Sequence, residues 1–110
     1  MLTAVVVTYN RKEELCKNLD MLYLQTIHLD KIIVVDNCST DGTKEYLQKK
    51  GYLEQDNFIY HCTEENIGGA GGFYTGIQRA YNEKADWIIF GNYHGNSYGD
   101  IACIWSLYKT

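Results

Sequence analysis

A chain of 110 residues suffices for one small domain with its own core, and 45% hydrophobic with 22% charged residues is the balance of a soluble globular protein. A formal net charge of -4 argues against sequence-independent binding to nucleic acid, which needs a basic surface. No stretch is apolar for long enough to span a bilayer, and Met1 leads straight into a strand-like run without a basic leader.

Leu2 to Thr8 is a continuous apolar, β-branched run, the pattern of a strand buried on both faces in a parallel sheet. Asn10, with Glu13 three residues on, predicts a capped helix whose apolar face carries Leu15, Leu19 and Leu22. Lys31 to Val35 is a second buried strand closed by Asp36. Ser39, Thr40 or Asp41 then caps a second helix through Lys50, with Gly51 at its stop. Phe58 to His61 is a third strand, Gly72 to Asn82 a third helix with Phe73, Ile77, Ala80 and Tyr81 in its pattern, and Trp87 to Phe90 a fourth strand. The order β-α-β-α-β-α-β calls for an α/β fold with a mainly parallel sheet.

Ligands in such sheets sit outside the carboxyl ends of the strands. That rule selects three loops: Thr8 to Arg11, Asp36 to Thr43 and Thr63 to Gly72. In the first, Arg11 has the guanidinium fork that suits phosphate, and Tyr9 has a ring that can stack on a base. Asn10 is read foremost as a helix cap. In the second, Asp36 closes a buried strand, where a carboxylate needs donors such as a pyrimidine N–H or a ribose hydroxyl; Asp41 is read as a cap. The third holds Gly68, Gly69, Gly71 and Gly72 around Ala70, behind Asn66. Glycine lets a backbone approach a ligand closely, and the start of a helix offers free N–H groups to phosphate.

Other ligand motifs fail on spacing. No Gly-Lys pair exists, as a P-loop would require. The first turn lacks glycine, and Tyr74 stands where a dinucleotide fingerprint needs its third glycine. Cys16, Cys38, Cys62 and Cys103 form no CxxC pair, and His28, His61 and His94 form no metal-ligand spacing. Cysteines so placed fit a reducing compartment.

Three segments occur in order: Val5-Val6-Val7-Thr8-Tyr9-Asn10-Arg11, Val34-Val35-Asp36-Asn37-Cys38-Ser39-Thr40-Asp41-Gly42-Thr43, and Asn66-Ile67-Gly68-Gly69-Ala70-Gly71-Gly72-Phe73. Together they resemble the N-terminal, donor-binding half of a family 2 glycosyltransferase. The Gly-Gly-Ala-Gly-Gly-Phe form is similar to the galactofuranosyl- and rhamnosyltransferase branch. The resemblance covers residues 1–90 and implies a Rossmann-like GT-A half-domain that binds a nucleotide-diphosphate sugar. It further implies a UDP- or dTDP-linked donor, inverting transfer to a glycan hydroxyl in cell-wall or polysaccharide biosynthesis, and a cytoplasmic location peripheral to the inner membrane face. Carried over by position, Thr8, Tyr9 and Arg11 border the nucleotide, and Asp36 with Asn37 contacts base or ribose. Asn66, Gly68 and Gly69 lie along the sugar-phosphate path, with Arg79 nearby.

The departure sits at the chemistry. The resemblance implies a divalent cation, Mg or Mn, on an acidic cluster that ends the fourth strand. Here Trp87 to Phe90 leads into Gly91-Asn92-Tyr93-His94, and the next carboxylate is Asp100. Such a cation stabilises the departing diphosphate by several kcal/mol as a Lewis acid. No residue can be nominated as catalytic base or as metal ligand, which argues against turnover by this chain alone. From Gly91 the composition changes, so residues 91–110 are expected to be a divergent tail, the product of truncation or of an out-of-frame ending. Two other readings use the same residues: a non-catalytic nucleotide-binding module, and an association fragment that dimerises through a sheet edge or its aromatic tail.

Overall fold

In chain order the elements are β1 (Leu2–Thr8), α1 (Lys12–Leu24), β2 (Lys31–Asp36), α2 (Thr43–Lys49), a single 3-10 turn (Tyr52–Glu54), β3 (Phe58–Cys62), α3 (Gly68–Asn82), β4 (Trp87–Gly95) and β5 (Ile101–Lys109). The structure, a computed structural model, describes residues 1–24, 28–95 and 101–109; beyond Phe90 in β4, and in β5 as far as Tyr108, the description is of the backbone. The strands form one sheet in the order β3-β2-β1-β4-β5. The pairs β1–β2, β1–β4 and β2–β3 are parallel, and β5 is antiparallel to β4. The expected α/β architecture is therefore present. β4 continues past Phe90 to Gly95, and β5 is a strand that the apolar run Ile101 to Tyr108 had not been read as.

Strand alternation divides the core in two. Ala4, Val6, Ile32 and Val34 face α1 and α2, where they meet Leu15, Leu19, Leu22 and Leu47. Val5, Ile33, Val35, Ile88 and Phe90 face the other way, with Ala80 and Ala85. Both faces of β1 and β2 are thus covered, which is why those segments read as unbroken apolar runs. Each Val, Leu, Ile or Phe among these side chains, fully buried, contributes about 1.5–3 kcal/mol.

α3 departs most from its sequence reading. It begins at Gly68, not Gly72, so the glycine stretch is its first turn and a half rather than a loop before it. The face toward the sheet is the small-residue stripe Gly72, Gly76 and Ala80, while Tyr74, Ile77 and Tyr81 stay exposed. A Cβ on Gly72 would lie 2.6 Å from Val7 Cγ1, and one on Gly76 would lie 2.3 Å from Val5 Cγ1. The helix sits so low on β1 that these two positions have no room for a side chain. Phe73 packs edge-on against Phe90, ring centroids 4.7 Å apart.

The helix starts also differ from expectation. Asn10 has φ 50°, and the first bond of α1 runs from the Leu15 N–H to the Arg11 carbonyl at 2.9 Å. Arg11 therefore occupies the cap position of α1, and Asn10 stands outside it. α2 is entered through Gly42 at φ 79° with no side-chain cap, so neither Ser39, Thr40 nor Asp41 caps that helix. Gly51, at φ 85°, does mark the stop after α2, where a left-handed residue favours glycine.

Candidate functional site

Parallel pairing sets the site. Thr8 lies opposite Asp36, and Asp36 opposite Cys62, so the chain leaves β1, β2 and β3 along one rim. The loops there are hydrogen-bonded into one another. The Asn10 backbone N–H donates to Ser39 Oγ at 2.9 Å, and the Thr40 N–H returns a bond to Asn10 Oδ1 at 2.7 Å. Lys12 Nζ donates to the Asp41 carbonyl at 2.8 Å, and the Lys12 N–H to Asp41 Oδ2 at 3.3 Å. Asp41 thus caps a helix across space, α1 rather than α2, and its anionic carboxylate suits the positive end of that helix.

The second loop joins the third as well. The Thr63 N–H donates to the Asp36 carbonyl at 2.9 Å, and Thr63 Oγ1 to the Glu65 carbonyl at 2.7 Å. Asn37 Nδ2 donates to the Gly68 carbonyl at 2.9 Å. Asn66 Oδ1 accepts from the Gly68 N–H at 2.9 Å, which shapes the entry into α3. Gly68 has φ 79°, a conformation that glycine adopts without strain.

A cleft of about 340 Å³ opens where the loops meet. Its lining includes Thr8, Tyr9, Arg11, Asn37, Asn66, Gly68 and Gly69, together with Val6, Val7, Leu15 and Asn18. Seven of the nine positions singled out from the sequence therefore share one cavity. A Cβ on Gly68 or Gly69 would meet nothing within 4 Å, so at these two glycines the open space belongs to the cleft. The first turn of α3 presents its backbone there, with the partial positive charge of a helix start.

Asp36 and Arg79 are not among the lining residues. Asp36 is 2% exposed; its Oδ1 accepts the Ser39 N–H at 2.9 Å and its Oδ2 accepts the Tyr60 hydroxyl. Its donors come from the protein, so the carboxylate organises the loop instead of facing the cleft. Burial, and then the bond to Asp36, pushes the Tyr60 phenol well above its ordinary value, so it stays a neutral donor. Arg79 sits near the far end of α3, where its Nε is 3.4 Å from Glu83 Oε1. Glu83 in turn pairs at 2.6 Å with Lys31, which opens β2, so Arg79 belongs to the opposite rim.

Sequence reasoning passed over Lys12, Asn18 and Tyr60, and took Thr63 only as the start of the third loop. Asn18 had a usable signal: it falls at i+3 from Leu15, on the buried face of α1. Tyr60 had none, because its partner lies on a neighbouring strand. Among the described residues no three His, Cys, Asp or Glu side chains converge on a metal position. Asp100 and the side chains of Asn92 and His94 lie outside what is described.

The comparisons with known proteins agree with this geometry. The model of the family described as Glycosyl transferase family 2 matches residues 3–95. Galactofuranosyltransferase GlfT1 of Mycobacterium tuberculosis (strain CDC 1551 / Oshkosh) is 38% identical over 96 residues, which are 86% of this chain and 30% of that protein. Among solved structures, the mannosyltransferase PcManGT from Pyrobaculum calidifontis, in complex with GDP-Man and Mn2+, superposes with a TM-score of 0.69 at 26% identity. The match covers 80% of this chain and 26% of that one. S. aureus TarS 1-349 in complex with UDP gives a TM-score of 0.67 at 26% identity, over 81% of this chain and 26% of that one. The chain thus spans less than a third of the length of each of these proteins. With the family model covering most of its residues and the three loops gathered at one rim, this chain belongs to glycosyl transferase family 2.

Proposed function

We propose that the chain is the donor-binding half of an inverting glycosyltransferase, holding a UDP- or dTDP-linked sugar whose transfer acceptor is a glycan hydroxyl in cell-wall or polysaccharide assembly. The observation that carries this reading is the cleft at the carboxyl rim, with Gly68 and Gly69 open to it at the start of α3. Backbone N–H groups there suit a diphosphate. The Tyr9 ring, 44% exposed, suits a base, and Arg11 supplies a cation on the same wall. The named ligands of the two structural neighbours, GDP-Man and UDP, lend support.

The residues present do not fit a divalent cation on β4. Its carboxyl end runs Gly91-Asn92-Tyr93-His94, with no carboxylate to serve as a hard oxygen ligand. No step of transfer is therefore derived through a metal. That donor set favours a second reading, a module that binds the nucleotide without turnover; the tail expected to diverge over residues 91–110 would do so after residue 95, where the family match ends. We assign the chain to the cytoplasm, peripheral to the inner membrane face; no helix among the described residues is long and apolar enough to cross a membrane. Cys16, Cys38 and Cys62 are free thiols, which suits a reducing compartment.

Titration calorimetry with UDP, dTDP and their sugar conjugates, with and without Mn2+, tests the proposal. Saturable binding is expected, and its independence of metal favours the module reading. Absence of binding to every nucleotide at millimolar concentration defeats both.

A further inference from the structure

The buried face of α1 carries Leu15, Cys16, Leu19 and Leu22, and among them one amide, Asn18. Asn18 is 3% exposed, and its amide makes no hydrogen bond to the described residues, yet its polar atoms are not sealed from solvent as Thr3 Oγ1 is. An amide held this deep with no protein partner keeps its donor and acceptor for whatever fills the space beside it. What it does have is the cleft: Asn18 lines it from the α1 side, beside Leu15 and Val6, across the end of β1 from Gly68 and Gly69. The cavity therefore has two unlike ends. One is backbone N–H at the start of α3. The other is an apolar wall with a single amide set into it.

We infer that Asn18 reads the edge of the donor's nucleobase, its Nδ2 donating to a ring carbonyl and its Oδ1 accepting from the adjacent ring N–H. This rests on the donor-binding reading above and adds a specificity-determining residue to it. The alternative occupants of that end fit less well. A diphosphate needs donors and positive charge, and an amide flanked by Leu15 and Val6 gives little of either. A sugar presents several hydroxyls, each needing a partner, where α1 offers one polar side chain to the cleft. A pyrimidine has apolar faces and a donor–acceptor edge, which match one amide in an apolar wall.

The test is a cycle between protein and ligand, read by calorimetry on the full chain. The ligands are UDP, N3-methyl-UDP (whose base edge has lost its N–H) and a UDP-sugar. The proteins are the wild type, Asn18→Leu and, should that variant fold poorly, Asn18→Ser. Wild type is expected to bind UDP about tenfold or more tightly than N3-methyl-UDP, since one hydrogen bond is lost and its buried partner left unpaired. In the Asn18 variants the two ligands should bind alike, a result that a merely structural asparagine would not produce. If the variants discriminate between the two as wild type does, Asn18 does not read the base, although nucleotide binding stands. If the variants weaken the UDP-sugar but not UDP, the amide holds the sugar and the inference is overturned. If wild type binds no nucleotide at all, the donor-binding reading falls and takes this one with it.

Discussion

Asn37, the first residue past β2, donates from Nδ2 to the carbonyl of Gly68 at 2.9 Å, and so fixes the first turn of α3 against the second loop. Asn37 is 3% exposed and also lines the cleft. Its amide therefore links the architecture of the rim to the shape of the proposed phosphate position. Asn37→Ala is expected to leave the Gly68 carbonyl without its donor and to destabilise the fold by about 1–3 kcal/mol. It should also weaken UDP about tenfold, because the helix start loses its anchor. Urea unfolding and calorimetry measure the two effects; an unchanged affinity in a destabilised variant would show that the anchor matters to the fold alone.

The glycines of α3 divide into two kinds, and substitution separates them. Gly76→Ala places a methyl 2.3 Å from Val5 Cγ1, an overpacking expected to cost about 1–3 kcal/mol. Gly69→Ala meets nothing within 4 Å and removes a poor helix former, so it should stabilise by about 0.5–1 kcal/mol. If a ligand packs on that backbone, the same methyl must lower affinity. Gly69→Ala is thus expected to melt higher and bind worse. A variant that melts higher and binds UDP as well as wild type would remove Gly69 from the ligand's path.

How much of this was readable beforehand follows from what each residue depends on. β1 and β2 were legible because both of their faces are covered, so local composition alone marks them. The gathering of three loops at one rim followed from strand–helix alternation. The start of α3 was not legible: four glycines argue against a helix locally, and the close approach to Val7 that explains Gly72, like the approach to Val5 that explains Gly76, comes from a distant strand. Asn10 and Asp41 looked like caps of the helices that follow them. Both bond instead to a loop about thirty residues away in sequence, which spacing along the chain cannot reveal. Asp36 seemed to need a ligand because its donor, Tyr60, comes from β3. Arg79 was carried over by resemblance, and its pairing with Glu83 assigns it to the other rim.

The thiols provide a pH test. Burial pushes the Cys16 thiol up to about 11, the nearby Lys50 charge opposing this in part. A raised folded pKa means that the folded state holds its proton longer than the unfolded one, whose thiol titrates at about 8.5. The stability from keeping Cys16 neutral is complete below that value and is lost as pH rises toward about 11. Raising the pH from 8 to 10 is thus expected to lower the urea midpoint, and Cys16→Ala should flatten that decline. At pH 8 a thiol reagent should modify the exposed Cys62 quickly and Cys16 only on unfolding. Peptide mapping by mass spectrometry distinguishes the sites, and rapid labelling of Cys16 in the native protein would contradict its burial.

Thr3 stands in β1 between Lys31 of β2 and Ile88 of β4, fully buried. Its Oγ1 has no hydrogen-bond partner among the described residues. In the middle of a parallel sheet the backbone groups bond to neighbouring strands, and the buried hydroxyl is left unpaired at a cost of about 1–3 kcal/mol. Valine keeps the β-branched shape that suits the strand and removes the polar atom. Thr3→Val is therefore expected to stabilise by about 1 kcal/mol, seen as a higher urea midpoint at unchanged slope. Thr8, on the same strand, is also buried but lines the cleft, so the proposed function gives its hydroxyl a ligand to meet where Thr3 has none. Thr8→Val should leave stability nearly unchanged and weaken nucleotide binding. Equal effects of the two substitutions on affinity would mean that the cleft does not use the end of β1.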